Sequence, residues 1–259
     1  MALYERRFYR DRLRGAGLHA FIVREGESDI FVLAQRDISS LVRDQLRRER
    51  EALLRYLTVD PFFQNTLIPR GVFPEAPPVV RLMSRMSFLA GVGPMAAVAG
   101  AMNDRIGSLF GTTFGELILE NGGDLLVYSK RERVVGVYTG KRSPFRDKLG
   151  IVLPPGRYWG VATSSGVVGP SFSFGQADSV TVLAASSALA DAWATRLANE
   201  VKTDGDIQRI LEFSARFPEM EGVVVCYHDR LGVWGAVQLT EVDYSGWDNP
   251  ANFFPMNSL

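Results

Sequence analysis

The sequence holds a single cysteine, Cys226, and two histidines, His19 and His228. One thiol excludes an internal disulfide and a cysteine metal cage, which fits a reducing compartment. Two histidines in separate contexts, one in an apolar strand-like run and one beside a hairpin turn, do not make a histidine metal site. Cys226 stands in the apolar run 223–227, where an inert buried thiol is expected rather than a nucleophile. Net charge is missing too, since 29 Lys and Arg balance 29 Asp and Glu. Without a net field nothing draws the chain to nucleic acid or to an anionic membrane; the arginines of residues 6–14 are preceded by Glu5 and interrupted by Asp11. Long apolar runs are lacking as well. The weakly polar stretch 88–102 is rich in Gly and Ala and falls short of the ~20 residues that span a bilayer. The first fourteen residues are mostly polar and charged, unlike a signal peptide, so the expectation is a cytoplasmic protein without a membrane span.

What is present is a globular composition, 46% apolar over 259 residues, organised as runs of strands broken by helices. Strand-like runs fall at 7–10, 18–24 and 30–34, with Gly15, Gly17 and Gly26 as turn material. Val42, Leu46, Leu53 and Leu57 recur at spacings of four and seven, which predicts a helix over 39–56. Asp37, Ser39 or Ser40 is its expected N-cap, and Asp60-Pro61 stops it. Four prolines within 69–78 mark a connection and the one candidate subdivision of an otherwise single domain over 1–259. Helices are expected over 79–90 and 94–110, strands over 117–119, 125–128, 134–138, 150–153, 158–163 and 179–183, and further helices over 189–201 and 206–216. A hairpin then runs from 223–227 through a turn at 229–232 into 233–239. The tail beyond Thr240, with Trp247, Phe253 and Phe254, is expected to pack by its aromatics. This order argues α+β, antiparallel sheets packed with helices, rather than a repeating βαβ wheel.

Three constellations could carry chemistry. Glu120-Asn121-Gly122-Gly123-Asp124 between two strand runs reads as a two-residue hairpin turn. The plain turn is the favoured reading from composition; the functional one is a backbone nest whose N–H groups approach an anion while Asp124 accepts a hydrogen bond or approaches a metal. Asp191 and Thr195 stand four apart on one helix face among alanines, Trp193 and Leu197. A carboxylate there must be hydrogen-bonded, paired or metal-bound, unless it is an exposed first-turn residue favoured by the helix dipole. Gly91-Val-Gly93-Pro-Met-Ala96 fits the glycine fingerprint of dinucleotide sites. Pro94, however, lacks the amide that would face a pyrophosphate, leaving a glycine-preceded helix start suited to a phosphate. The run from Gly136 to Lys141 imitates a P-loop, but its glycines are one residue too close and Arg142 replaces the Ser or Thr that holds magnesium.

Together, Glu120-Asn-Gly-Gly-Asp124, Ser179-Val-Thr-Val182 and Ala188-Leu-Ala-Asp-Ala-Trp-Ala-Thr195, in this order and at these distances, resemble the FAD:protein FMN transferase (ApbE-like) superfamily. With Ala90-Gly-Val-Gly-Pro-Met95 and Gly169-Pro-Ser-Phe-Ser-Phe-Gly-Gln176 the chain looks like an uncharacterised cytoplasmic branch of it. The resemblance implies an ApbE-like, T-fold-related α+β fold. It also implies a bound FAD or FMN with Mg²⁺, a small-molecule nucleotide partner, and FMN transfer as the family reaction. On the matching positions it makes Asp191 and Thr195 metal ligands and places Gly91, Gly93, Asn121, Gly122, Gly123 and Asp124 at the cofactor. Non-catalytic ligand binding on the same fold is the alternative. The chain departs from the family pattern in three places. Glu120 replaces an asparagine, Ala97 falls where a lysine is expected, and the segment from Val167 to Gln176 has neither the histidine nor the Asp-Pro of the family's His-x-x-Asp-Pro-x-Thr-Gly run.

Overall fold

The computed structural model describes residues 17–110, 113, 115–137, 139, 143–146, 148–165 and 175–242. Its frame is an eight-stranded antiparallel sheet made of β1 (His19–Glu25), β2 (Ser28–Ala34), β3 (Leu117–Asn121), β4 (Asp124–Tyr128), β7 (Tyr158–Ser164), β8 (Ser179–Ala184), β9 (Met220–Tyr227) and β10 (Arg230–Gly235), in that spatial order. The excursion between β4 and β7 carries β5 (Arg133–Gly136) and β6 (Leu149–Leu153). These join the late strand β11 (Gln238–Glu241) in a second sheet of order β11-β6-β5. The helices are α1 (Ser39–Val59), α2 (Phe62–Asn65), α3 (Pro78–Ala90), a 3-10 turn (Pro94–Ala97) that runs into α4 (Val98–Phe110), α5 (Ser187–Glu200) and α6 (Asp206–Ser214).

Both faces of the large sheet are covered, so β2, β3 and β8 are buried along their whole length and read as continuous rather than alternating apolar runs. The two-residue period still sorts the side chains. Ile30, Val32, Leu117, Leu119, Val180, Val182, Val223 and Val225 pack with the apolar stripes of α1, α3, α4 and α5, which supply Leu46, Met83, Ile106 and Trp193. Phe31, Leu33, Ile118, Val127, Val161, Leu183 and Val224 point the other way, onto Ile151 and Leu153 of the small sheet. The architecture is therefore three layers, helices on sheet on sheet, as the α+β expectation requires.

Most element boundaries agree with the sequence to within a few residues, and the differences have local causes. The first helix starts at Ser39 but runs on to Val59. Its cap position is Ile38, with no side-chain cap, while the Asp37 carboxylate accepts the Ser39 N–H at 2.8 Å. The last hairpin turns at His228-Asp229 instead of 229–232, because Arg230 already pairs with Tyr227 and His228 adopts φ 51°. Gly232 is not turn material but a strand residue, since a Cβ there would collide with Ile207 of α6. The expected strand continuation to 239 is broken at Gly235, whose φ of 87° lets the chain leave the large sheet and enter the small one as β11. The run 7–10 and the aromatic tail lie outside the described residues. Among the described residues no single helix is long and apolar enough to cross a membrane; α3 and the Pro94–Phe110 segment reach that length only together and meet at 104°.

Candidate functional site

The site is assembled where α4 crosses α5 beneath the β3-β4 hairpin. Gly100 permits the crossing, because a Cβ on it would run into the Ser187 carbonyl of α5. Each helix then supplies an aspartate to the other's N-terminal end. From α4, Asp104 accepts the Ser186 hydroxyl at 2.5 Å, the Ser187 N–H at 2.9 Å and the Ala188 N–H at 3.0 Å, while the Ser186 oxygen accepts the Leu189 N–H at 3.2 Å. From α5, Asp191 accepts the Gly100 N–H at 3.0 Å in the first turn of α4. Helix starts have unpaired N–H groups and a positive dipole end, so each carboxylate sits where negative charge is favoured.

Burial nevertheless dominates both groups. It raises the Asp104 carboxyl above the ordinary aspartate value against the lowering effect of Ser186 and of the Ala188 and Ser187 N–H groups. It pushes Asp191 up to about 7, with the Gly100 and Ala99 N–H groups opposing and the nearby Asp104 charge adding to the rise. The bland expectation of an exposed first-turn Asp191 is thus replaced by a partly buried carboxylate that caps a neighbouring helix. Thr195 stands one turn further along α5, half-buried, with no side-chain hydrogen-bond partner among the described residues.

The Gly-Gly-Asp turn is stapled to the same helix. Gly122 and Gly123 have φ of 71° and 105°, the two positive values that a tight two-residue hairpin demands, and Asn121 pairs with Asp124 across it. The Asn121 side chain donates to the Ala99 carbonyl at 3.3 Å; that of Asn103 donates to the Asp124 carbonyl at 3.0 Å and to Ser187 Oγ at 3.4 Å. Ala99 and Asn103 are four apart on one face of α4, so the hairpin is held at both corners. The turn and Asp191 therefore meet on two consecutive residues, Ala99 and Gly100. Asn103 is fully buried, and its Oδ1 has no partner among the described residues. The nest reading needs one amendment, because the Gly123 N–H is donated to the Glu120 carboxylate at 2.8 Å and is not free for an anion.

The glycine-rich helix start has a double structural role. Gly91 ends α3 in the left-handed conformation, φ 71°, donating its N–H to the Ser87 carbonyl at 2.8 Å, and its α-carbon faces the Arg196 guanidinium of α5. Gly93 has no room for a Cβ because the Thr66 carbonyl presses against it. Arg196 also binds Glu200 at 2.5 Å, so a cation stands beside Gly91, one residue after Thr195. The motif 169–176 lies mostly outside the described residues. Its end is fixed just past α5, where the Gln176 N–H donates to the carbonyl of Val201, the residue that closes the helix, at 2.8 Å. Cys226 is buried as expected, its thiol pushed up to about 11 by desolvation.

Asp104, Asn103 and Arg196 were not singled out from the sequence. The available signal was the polar run Asn103-Asp104-Arg105 inside a helix whose other residues are, apart from Ser108, all apolar or Gly. Among the described residues no three His, Cys, Asp or Glu side chains cluster as a metal cage. An open hollow of about 320 Å³ lies elsewhere, lined by Phe145, Lys148, Leu149 and Leu239 of the small-sheet region, and shares no residue with this site.

A family model described as AbpE bacteria matches residues 10–215. A UPF0280 protein of Methanosarcina barkeri is 38% identical over 205 residues, 78% of this chain and 80% of that protein. One from Methanothermobacter thermautotrophicus is 41% identical over 194 residues, 73% of this chain and 75% of its own length. Among solved structures, the flavin transferase ApbE from Vibrio cholerae superposes with a TM-score of 0.55 at 12% identity, covering 89% of this chain and 98% of that one. The apo flavinyl transferase ApbE of Pseudomonas stutzeri gives 0.51 at 14% identity, covering 83% and 93%. Identities this low carry the fold alone, but the model match over most of the chain and the archaeal relatives carry the family: the chain belongs to the ApbE-like family, in its UPF0280 branch.

Proposed function

We propose that the chain binds a flavin or related phosphate-bearing nucleotide together with Mg²⁺ where the 121–124 turn, the start of α4 and the Asp191 face of α5 meet. The observation that carries this reading is the state of Asp191. Its carboxylate is desolvated enough to be pushed up to about 7, yet it is held in place by the Gly100 N–H with Thr195 one turn away. A divalent cation relieves such a group by replacing lost hydration with charge. Magnesium is commonly held by one or two carboxylates plus substrate phosphates rather than by an all-protein cage, so the donor set of Asp191 and Thr195 fits it. The bound cation would neutralise charge on the phosphates. The protein's own part is to fix the Asp191 oxygens through α4, to hold the hairpin through Asn103 and Asn121, and to present Arg196 beside the Gly91 turn. Because Glu120 already takes the Gly123 N–H, the phosphate end belongs on the cation side of the site and the uncharged end of the ligand on Gly122, Gly123 and Asp124.

Transfer of FMN from FAD to an acceptor protein is the finer form of this reading. Binding without transfer is favoured by one observation, the lack of the family's histidine and Asp-Pro between Val167 and Gln176. The two separate by experiment. Incubation with FAD, Mg²⁺ and an acceptor domain from an established flavin transferase system, followed by mass spectrometry of the acceptor, yields an FMN adduct only if transfer occurs. FAD that raises the melting temperature only when Mg²⁺ is present, without an adduct, marks a binding protein. No adduct and no stabilisation reject both.

A further inference from the structure

We propose that the apolar surface formed by the end of α1, the outer side of α2, the 66–73 connection and the last turn of α3 is covered by the same surface of a second copy of this chain. Val59 is 69% exposed, Phe62 71%, Leu67 67% and Ile68 70%, with Phe73 and Phe88 about half exposed beside them. Phe63, next to Phe62, is fully buried in the core, so the segment is anchored and its outward residues are presented by a fixed backbone.

The residues form one surface. Gly93 is packed against the backbone of Thr66 and Leu67, which brings the end of α3 alongside the connection, and the Ser84 hydroxyl of α3 donates to the Arg70 carbonyl at 2.7 Å. Phe88 lies one turn beyond Ser84 on the same side of α3. Side chains of this size at these exposures present on the order of 600 Å² of apolar area, at the upper end of what a soluble monomer leaves bare. A stable dimer buries about 800 Å² on each partner, so this patch supplies most of one half-interface and its polar margin the remainder.

A second copy fits better than a membrane or an oppositely charged partner. Arg70, whose guanidinium lies 5.6 Å from the Phe62 ring centre, is gripped by both oxygens of Asp60 at 2.7 Å, so the charge within the patch is neutralised in place. Two identical surfaces can then face each other about a two-fold axis without like-charge repulsion at this pair. The chain's zero net charge gives an anionic bilayer nothing to attract. The patch adjoins the Gly91–Gly93 turn through Thr66 and Leu67, yet the proposal does not depend on which ligand the neighbouring site takes.

Sedimentation velocity on the full chain from ~1 to ~100 µM tests it, a range that brackets ordinary homodimer affinities. The expected species has twice the 28.7 kDa chain mass. The F62E/I68E variant is expected to sediment as a monomer across the range, with a melting temperature no lower than that of the wild type diluted below its dimer midpoint, since both side chains are outside the core. If the acidic pair lowers that temperature, Phe62→Ser and Ile68→Ser, which add no charge, must still shift the midpoint at least tenfold. Val134→Glu, at an exposed position of β5, is expected to leave the dimer intact. A wild-type monomer at ~100 µM overturns the proposal, as does a dimer that survives F62E/I68E or falls apart with Val134→Glu. So does a wild-type monomer that co-sediments with phosphatidylcholine–phosphatidylglycerol vesicles, or one that dimerises only after residues 243–259 are removed.

Discussion

The N-terminal ends of α4 and α5 are built on the same device, an aspartate lent by the other helix, but they carry different loads. At the start of α5 the device is saturated, with the Ser186 hydroxyl and two backbone N–H groups all donating to Asp104 and the Ser186 oxygen completing the cap on Leu189. At the start of α4 Asp191 is held by the Gly100 and Ala99 N–H groups without a hydroxyl donor, Thr195 beside it has no side-chain partner among the described residues, and burial, which raises Asp104 as well, lifts Asp191 to about 7. A fully satisfied carboxylate stabilises a structure, whereas a desolvated one with spare acceptor capacity costs stability until something positive arrives. On the function proposed above, the start of α5 serves the fold and the start of α4 serves the ligand.

The largest effect that could break this contrast is at the saturated end. Replacing Asp104 with Ala removes three hydrogen bonds to a charged acceptor and leaves the first turn of α5 undercapped. It should cost about 3 kcal/mol, read as a drop in the denaturation midpoint, with no dependence on Mg²⁺. A loss under ~1 kcal/mol would mean that the cap is dispensable and the two ends are not distinguishable by role.

Next in size is the pH dependence. A carboxyl whose folded-state value is raised from 3.8 to about 7 stabilises the fold when protonated, and that contribution is lost as the pH rises through 7. Unliganded protein should therefore be more stable near pH 5 than near pH 8, by roughly 2 kcal/mol for Asp191. Asp104 and Asp29, also raised by burial, add a slope of the same sign, whereas Asp206, lowered to about 2 by the Lys202 N–H against its burial, and Asp60, lowered by Arg70, remain ionised throughout that window and do not contribute. The Asp191→Asn protein should lose the part of this slope that belongs to Asp191, while Asp104 and Asp29 keep theirs. A slope unchanged by that substitution assigns the titration elsewhere.

The same substitution sharpens the ligand side. Asp191→Asn should weaken Mg²⁺-dependent FAD binding by about 1.5–3 kcal/mol, as expected for a lost charge-assisted contact, while the fold survives at neutral pH. Calorimetric titration below the melting transition measures it; unchanged affinity makes Asp191 a helix cap and nothing more. Smallest is Asn121→Ala, which frees one corner of the hairpin from Ala99. A stability loss of about 1 kcal/mol is expected, with a larger proportional loss in FAD affinity if the turn lines the ligand. Equal loss in both would place Asn121 in the scaffold alone.

The elements were legible because local rules decide them: the spacing of Val42, Leu46 and Leu53, the stop at Asp60-Pro61, and the paired glycines at 122 and 123. What could not be read was the cross-capping of α4 and α5, since Asp104 and its donors are more than eighty positions apart in sequence. Asp191 stands out because a carboxylate among alanines demands an explanation, whereas nothing in the neighbouring sequence of Asp104, with Arg105 beside it, marks it apart from its polar run. The misplaced hairpin turn has the opposite cause. Gly232 was read by its local preference, but the close approach of Ile207 is what requires a glycine there.

The crossing at Gly235 has a consequence for the order in which the molecule can form. The small sheet has β6 at its centre, flanked by β5, which is sixteen positions earlier, and β11, which begins at Gln238, about 85 positions after β6 ends. As the chain emerges from the ribosome, β5 and β6 can pair at once, but one edge of β6 stays open until β9 and β10 of the large sheet have been made. An open strand edge invites pairing with other chains. The nascent protein is therefore most exposed to misassociation while residues 154–237 are being synthesised, and a chain truncated before Gln238 should aggregate through β6 even though α1 to α6 are complete.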